Sequence, residues 1–445
     1  MVYDRAAPMN GSASGRLRVH RRALVSVLGL ACLVQAAACR CGDDDDGVGD
    51  GTSGTETMSE SSSSGSTIGG ESTGTSTGTT AGETTFESTS DGPPLLCGDG
   101  VPAPGELCFL PYEPVLEGRA SAALALGDFD GDGRLDLAAG HPDGVTIHLN
   151  EGDGSFAQPL EIDTPSGVLG LAVGDFDGDG VADLAVANSG HDTIVVHLGQ
   201  GNGTFVAGSA HPTGAYPRAL VAVDLDGDGN LDVATVNELG GDVTVLYGDG
   251  TGELVLGETL AAGNAPLAID AGDLDGDGSI DLVVANFGSG SLGVYIQTPG
   301  GFELVGSPMA DAGPRGLAVA DVDDDGQLDL VTVGQSSGMV RLLLGDGAGD
   351  FTPPLGFGVG QGGRDLIAAD VDNAGLPDVI VALRTQNRVA VLPALGGSLG
   401  SATFVPTLPG PIALAVGDVN ADGALDIVTA SAGENGGIAL ILGDP

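Results

Sequence analysis

Seven times along the 445-residue chain one acidic pattern returns, starting at Asp128, Asp175, Asp224, Asp273, Asp321, Asp370 and Asp418. Its fullest form is Asp-x-Asp-x-Asp-Gly-x-x-Asp. The intervals are 47, 49, 49, 48, 49 and 48 residues. A near-constant period of that length marks a repeat architecture in which each period is one supersecondary unit.

Within a unit the apolar residues fall in short runs. The second repeat reads Leu169–Gly174, the acidic loop Asp175–Asp183, then Leu184–Asn188, Thr193–Leu198 and Gly201–Val206. These runs are rich in Val, Leu and Ile, are separated by Gly, Asn and Asp, and fall short of the ~10–12 residues of a helix. Four short antiparallel strands per unit and seven units predict an all-β, seven-bladed β-propeller. A solenoid is the competing arrangement. Against it, the last repeat runs out after Ile438–Leu442 without a fourth strand, while Phe109–Gly118 resembles the fourth strands Phe156–Ile162 and Phe351–Gly356. Phe109–Glu117 is therefore expected to complete the last blade and close the ring.

Carboxylates on alternate residues, a Gly where the chain turns, and a further carboxylate three residues on gather hard oxygen ligands, which suit Ca²⁺. Five loops carry the full set: Asp128, Asp130, Asp132, Asp136; Asp175, Asp177, Asp179, Asp183; Asp224, Asp226, Asp228, Asp232; Asp273, Asp275, Asp277, Asp281; and Asp321, Asp323, Asp325, Asp329. The seventh, Asp418, Asn420, Asp422 and Asp426, keeps an oxygen at every position. In the sixth, Asp370, Asp372 and Asp378 remain, but Ala374 replaces a ligand and Pro377 stiffens the exit, so weak or no metal is expected there.

Related acidic loops occur in EF-hands, dockerin modules and thrombospondin-type repeats. An EF-hand requires Glu at loop position twelve, where the first loop has Ala139, and dockerin loops run into helices rather than strands such as Leu135–Ala139. The stretch Gly313–Val331 and the late turn Gly201–Phe205 instead resemble the FG-GAP or VCBS-type repeat of integrin alpha-subunit propellers and many bacterial surface proteins. The resemblance covers Phe109–Pro445. It implies that each loop joins the first two strands of a blade and holds one Ca²⁺. It leaves the biological role open, because such propellers serve adhesion, assembly and enzyme carriage.

Residues 1–38 read as a signal peptide: Arg16, Arg18, Arg21 and Arg22 precede an apolar stretch from Ala23 to Val34, which is too short for a bilayer span. Ala36-Ala-Ala-Cys39 resembles a bacterial lipoprotein processing site, with Cys39 as the lipidated residue; an ordinary cleavage near Ala38 is the alternative. Residues 39–96 form a linker of Asp, Gly, Ser, Thr and Glu that cannot bury a core. Cys97 and Cys108 bracket a segment, 97–108, resembling a short cysteine-rich motif of secreted myxobacterial proteins, and a disulfide between them suits an exported chain. Cys41 has no assigned role.

The chain has no Lys, and beyond Cys39 nine Arg face 61 acidic residues, a formal charge of −52. That excludes a generic nucleic-acid binder, which needs a basic footprint, and limits membrane contact to the lipid anchor. No hydrolase signature is present. His148 and His197 occupy matching repeat positions, which repeat symmetry explains without a zinc site. Arg218, Arg315 and Arg364 each lie six residues before an acidic loop, where the other repeats have Ala122, Leu169, Leu267 and Ile412. They are expected either to pair with acids of neighbouring blades or to bind an anionic group at the channel mouth. The functional expectation is a Ca²⁺-binding surface or envelope propeller that binds a protein or glycan, or acts as a scaffold. A calcium-dependent propeller enzyme, such as a polysaccharide lyase, and a purely structural surface module are the alternatives.

Overall fold

The computed structural model describes residues 105, 107–432 and 436–444. The expectations for residues 1–96, with Cys39 and Cys41, and for Cys97 fall outside them.

Each period folds as a four-stranded antiparallel sheet, and seven such sheets are present. In blade 2 the strands are Val168–Gly174, Asp183–Asn188, Thr193–Gly199 and Phe205–Pro212, each hydrogen-bonded to the next. The second strand is buried at every residue in all seven blades. A sheet covered on both faces favours unbroken apolar runs over alternation, and Leu184-Ala-Val-Ala is such a run. The fourth strand lies at the rim, where Val206, Val255 and Leu304 are exposed.

The first strand of each blade touches the first strands of both neighbours. Ala123–Gly127 of blade 1 meets Pro411–Gly417 of blade 7, so the array is a closed ring and not a solenoid. Side chains pin some of these junctions. Asp270 Oδ2 accepts the Val319 N–H and Asp365 Oδ2 accepts the Leu414 N–H, both at 2.9 Å and each 49 residues along the chain.

The last blade is completed from the N-terminal side. Glu113–Glu117 pairs antiparallel with Gly437–Ile441, placing Glu113 opposite Leu440 and Glu117 opposite Gly437. The strand is shorter than the expected Phe109–Glu117. Pro111 has no N–H to give to a ladder, and ahead of the strand only an isolated bridge, Phe109 to Gly443, continues the pairing. Phe109 is fully buried, in a cluster with Val371, Ile380, Leu414 and Ile441. Among the described residues no helix is long and apolar enough to cross a membrane.

Candidate metal centres

Every acidic loop joins the first and second strands of its blade, so all seven open on the same face of the ring. The loop's own backbone builds the fold around its first aspartate. In loop one, Asp128 Oδ1 accepts the N–H of Gly131 at 2.7 Å and of Asp132 at 3.1 Å, and Oδ2 accepts that of Gly133 at 2.9 Å. The last of these bonds recurs in all seven loops at 2.9–3.0 Å, from Gly133, Gly180, Gly229, Gly278, Gly326, Gly375 and Gly423. Gly133 has φ 85°, and a Cβ there would meet nothing within 4 Å. The glycine is thus required by backbone conformation rather than by space.

The carboxylates converge. One oxygen from each of Asp128, Asp130 and Asp136 lies within 4.8 Å of the others. The same holds for Asp175, Asp177 and Asp183; for Asp224, Asp226 and Asp232; for Asp273, Asp275 and Asp281; and, in loop five, for Asp321, Asp323 and Asp325. Asp132, Asp179, Asp228 and Asp277 stand outside these groups, as does Asp329 in loop five. The third aspartate also serves the loop's own backbone: Asp132 accepts the Arg134 N–H at 3.0 Å, and its other oxygen pairs with the Arg134 guanidinium. In loop seven the Asn420 amide donates to Asp422 Oδ2 at 2.8 Å.

The final aspartate of each loop is fully or almost fully buried. Burial, followed by the neighbouring carboxylates, pushes Asp136, Asp183, Asp232, Asp329 and Asp426 up to about 6 and Asp378 to about 7, against the downward pull of backbone N–H bonds. Asp281 shifts the same way for the same reason. In loop five, buried Asp323 Oδ1 has no hydrogen-bond partner. All-oxygen donor sets with unused lone pairs fit a hard divalent cation, and Ca²⁺, with its long and adaptable bonds, fits best.

Loop six differs in what covers it. Ala374 donates its N–H to Asp372 Oδ1 at 2.9 Å, and Asp370 Oδ1 is buried without a hydrogen-bond partner. The N-terminal segment lies against this loop: Gly105 N–H donates to the Asp372 carbonyl at 3.0 Å, and Phe109 packs with Val371. Cys108 in this segment is buried and disulfide-bonded.

The other residues singled out are dispersed. His148 Nε2 bonds Thr146 Oγ1 at 3.0 Å and its ring meets Phe156 edge-on, whereas Val195 stands where His197 would need the matching threonine, and its Nε2 has no partner. Arg218 pairs with Glu238 of its own blade. Arg315 bonds Gln335 of its own blade at 2.9 Å and lies over the Phe287 ring of the blade before it. Arg364 is buried at the matching position.

A family model for FG-GAP-like repeats matches six overlapping stretches, residues 128–186, 175–235, 224–284, 273–332, 321–381 and 370–429. The chain belongs to the FG-GAP-like repeat family. No curated protein matches it significantly. Among solved structures, it is similar to BBS1N in complex with ARL6DN, at 16% identity over 76% of this chain and 97% of that one, TM-score 0.54. It is also similar to a protein from Lactobacillus plantarum, at 16% identity over 70% and 88%, TM-score 0.50. An Agrocybe aegerita lectin that recognises non-reducing terminal N-acetylglucosamine aligns at 19% identity over 65% and 81%, TM-score 0.48. The first two likenesses bear on the fold alone.

Proposed function

We propose that this chain is a calcium-loaded binding module, exported and held at the bacterial envelope through an N-terminal tether lipidated at Cys39. The observation that carries the reading is the convergence of carboxylate oxygens in loop after loop on one face of the ring. Asp128, Asp130 and Asp136 and their repeat equivalents would hold Ca²⁺. Bound there, the ion supplies the positive charge that the facing carboxylates lack. Loop six keeps the equivalents Asp370, Asp372 and Asp378 but lacks the third aspartate, at Ala374, and the segment around Gly105 and Phe109 lies against it. The signal-like residues 1–38, the polar linker and the absence of Lys support export. With the acidic loops engaged by metal, no acid pair is left over in them for catalysis, which favours binding over an enzyme.

A glycan and protein array probed with the full chain, with and without calcium, tests this. Selective hits that vanish in chelator support a calcium-dependent binder. A blank array together with a calcium-stabilised protein favours a structural module.

A further inference from the structure

Six blades enter their first strand through a residue in the left-handed region: Gly167 (φ 87°), Tyr216 (64°), Ala265 (49°), Gly313 (69°), Gly362 (92°) and Gly410 (76°). These positions are equivalent. Each carbonyl accepts the N–H of the residue that follows its blade's second strand, respectively Ser189, Glu238, Phe287, Gln335, Arg384 and Ala432. Four blades use glycine, which adopts this conformation freely. Blade 3 uses tyrosine, and a bulky residue there is a backbone outlier of the kind that collects at ligand sites.

The Tyr216 side chain packs with Ala122, Leu169 and Ile412, the three apolar residues that open the first strands of blades 1, 2 and 7. Because first strands line the axis and begin on the face away from the acidic loops, this cluster lies at the opposite mouth of the channel. It borders a cavity of about 230 Å³ to which blades 7, 1, 2 and 3 all contribute, and among the described residues no charged one lines it. Its two serines are committed elsewhere, Ser189 Oγ donating to the Pro217 carbonyl at 2.7 Å and Ser121 Oγ bonding His141 Nδ1 at 3.2 Å. The walls are therefore mainly apolar, methyl groups and one aromatic ring with some backbone between them.

We propose that this mouth binds an uncharged, substituted aromatic ring, and that Tyr216 is kept in its unfavourable backbone conformation because its side chain forms one wall. Size fits: an engineered apolar cavity of about 150 Å³ takes up benzene, so about 230 Å³ accommodates a ring with a substituent. Charge fits as well. The acidic chain repels an anion, and among the described lining residues a cation finds no carboxylate. The ring can belong to a free small molecule or to a Phe or Tyr side chain of a partner, and the site is separate from the calcium loops.

The test uses the full chain in 1 mM calcium, a concentration of the order at which extracellular sites fill, with ¹³C-labelled Ile, Leu and Ala methyls followed by NMR. Probes are p-cresol, a short peptide with one exposed Phe, benzoate, benzylammonium and glucose. The Ile412 and Leu169 methyls should shift saturably with p-cresol or the peptide, and at least tenfold more weakly with the charged rings and glucose. Stronger binding of the peptide identifies a partner side chain, and stronger binding of p-cresol a free molecule. Tyr216→Gly and Tyr216→Asn, which suit the backbone but lack the ring, should lose binding at least tenfold while their melting temperatures stay level or rise. Unmoved methyls, equal response to charged rings or glucose, undiminished binding by both variants, or melting several degrees lower in both would each overturn the proposal.

Discussion

Asp136 Oδ1 accepts the N–H of Asn150, fourteen residues downstream, at 2.8 Å, while its Oδ2 accepts the N–H of Phe129, seven residues upstream, at 2.9 Å. The pair of bonds recurs in every blade. Asp183 joins Gly199 to Phe176, Asp232 joins Gly248 to Leu225, Asp281 joins Gln297 to Leu274, and Asp329 joins Gly345 to Val322. Asp378 and Asp426 do the same with Ala394 and Val371, and with Gly443 and Val419. The last aspartate of the motif is thus a buried clamp between the acidic loop and the end of the third strand, in addition to being a carboxylate of the candidate metal centre.

This division of labour separates two mutants of one loop. Asp232→Ala removes the bonds that its carboxylate accepts from the Leu225, Gly248 and Asp226 N–H groups, each worth about 1.5–3 kcal/mol when the acceptor is charged, so it should lower the melting temperature in calcium and in chelator alike. Asp226→Ala, at a more exposed position of the same loop, should reduce calcium stabilisation and leave the melting temperature in chelator unchanged or higher. Thermal melting of both variants in both buffers is the measurement.

Calcium should dominate stability. If each site has a dissociation constant near 10⁻⁴ M, as extracellular modules do, about 1 mM Ca²⁺ adds roughly 1.4 kcal/mol per site, or about 8 kcal/mol over six sites. That is comparable with the whole stability of a typical domain. A melting curve that does not move in excess chelator would sink the calcium reading. Metal analysis should find about six ions, and Ala374→Asp should raise the count.

The pH dependence should reverse with metal. Without it, burial holds six of the clamp aspartates at about 6 to 7 in the fold and raises Asp281 as well, against about 3.9 in the unfolded chain. Their folded pKa values are raised, so their contribution is full below about pH 4 and is lost as pH rises through about 6 to 7. His141, His148 and His197, buried and lowered, the latter two to about 4, act in the opposite sense and lose stability as pH falls below about 6.5. The carboxylates outnumber the histidines. In chelator, the protein should therefore melt higher at pH 5.5 than at pH 7.5. In calcium the order should invert, because protons compete with the ion for the same oxygens. Four melting curves decide it.

Ring closure is separately testable. Deleting Phe109–Glu117 strips the partner from Gly437–Ile441 and removes fully buried Phe109, leaving an unpaired edge of the kind that aggregates. Deleting residues 42–94, almost devoid of apolar side chains, should leave melting nearly unchanged. Light scattering on heating should separate the two, and equal behaviour would contradict the closing role of the N-terminal strand.

The sequence by itself determined the period, and with it the number of blades, the four-stranded make-up of each and the oxygen chemistry of the loops. Those features are local: a spacing of alternate aspartates before a glycine, or a run such as Leu184-Ala-Val-Ala, means the same thing in any context that buries it. The clamp role of Asp136 was hidden although its position was plain, because its partner Asn150 comes near only when the second and third strands pair. That Glu238 meets Arg218 was hidden for a similar reason, since it reaches the guanidinium across the inner hairpin of the same sheet. Loop six could be read as a poor metal site, but that Gly105 and Phe109 lie over it required the chain to return through the last blade. The cavity beside Tyr216 exists only because closure brings blades 7, 1, 2 and 3 to one axis. Ring closure sets these long-range neighbours, and a repeat pattern, which fixes each blade and its immediate neighbours, does not.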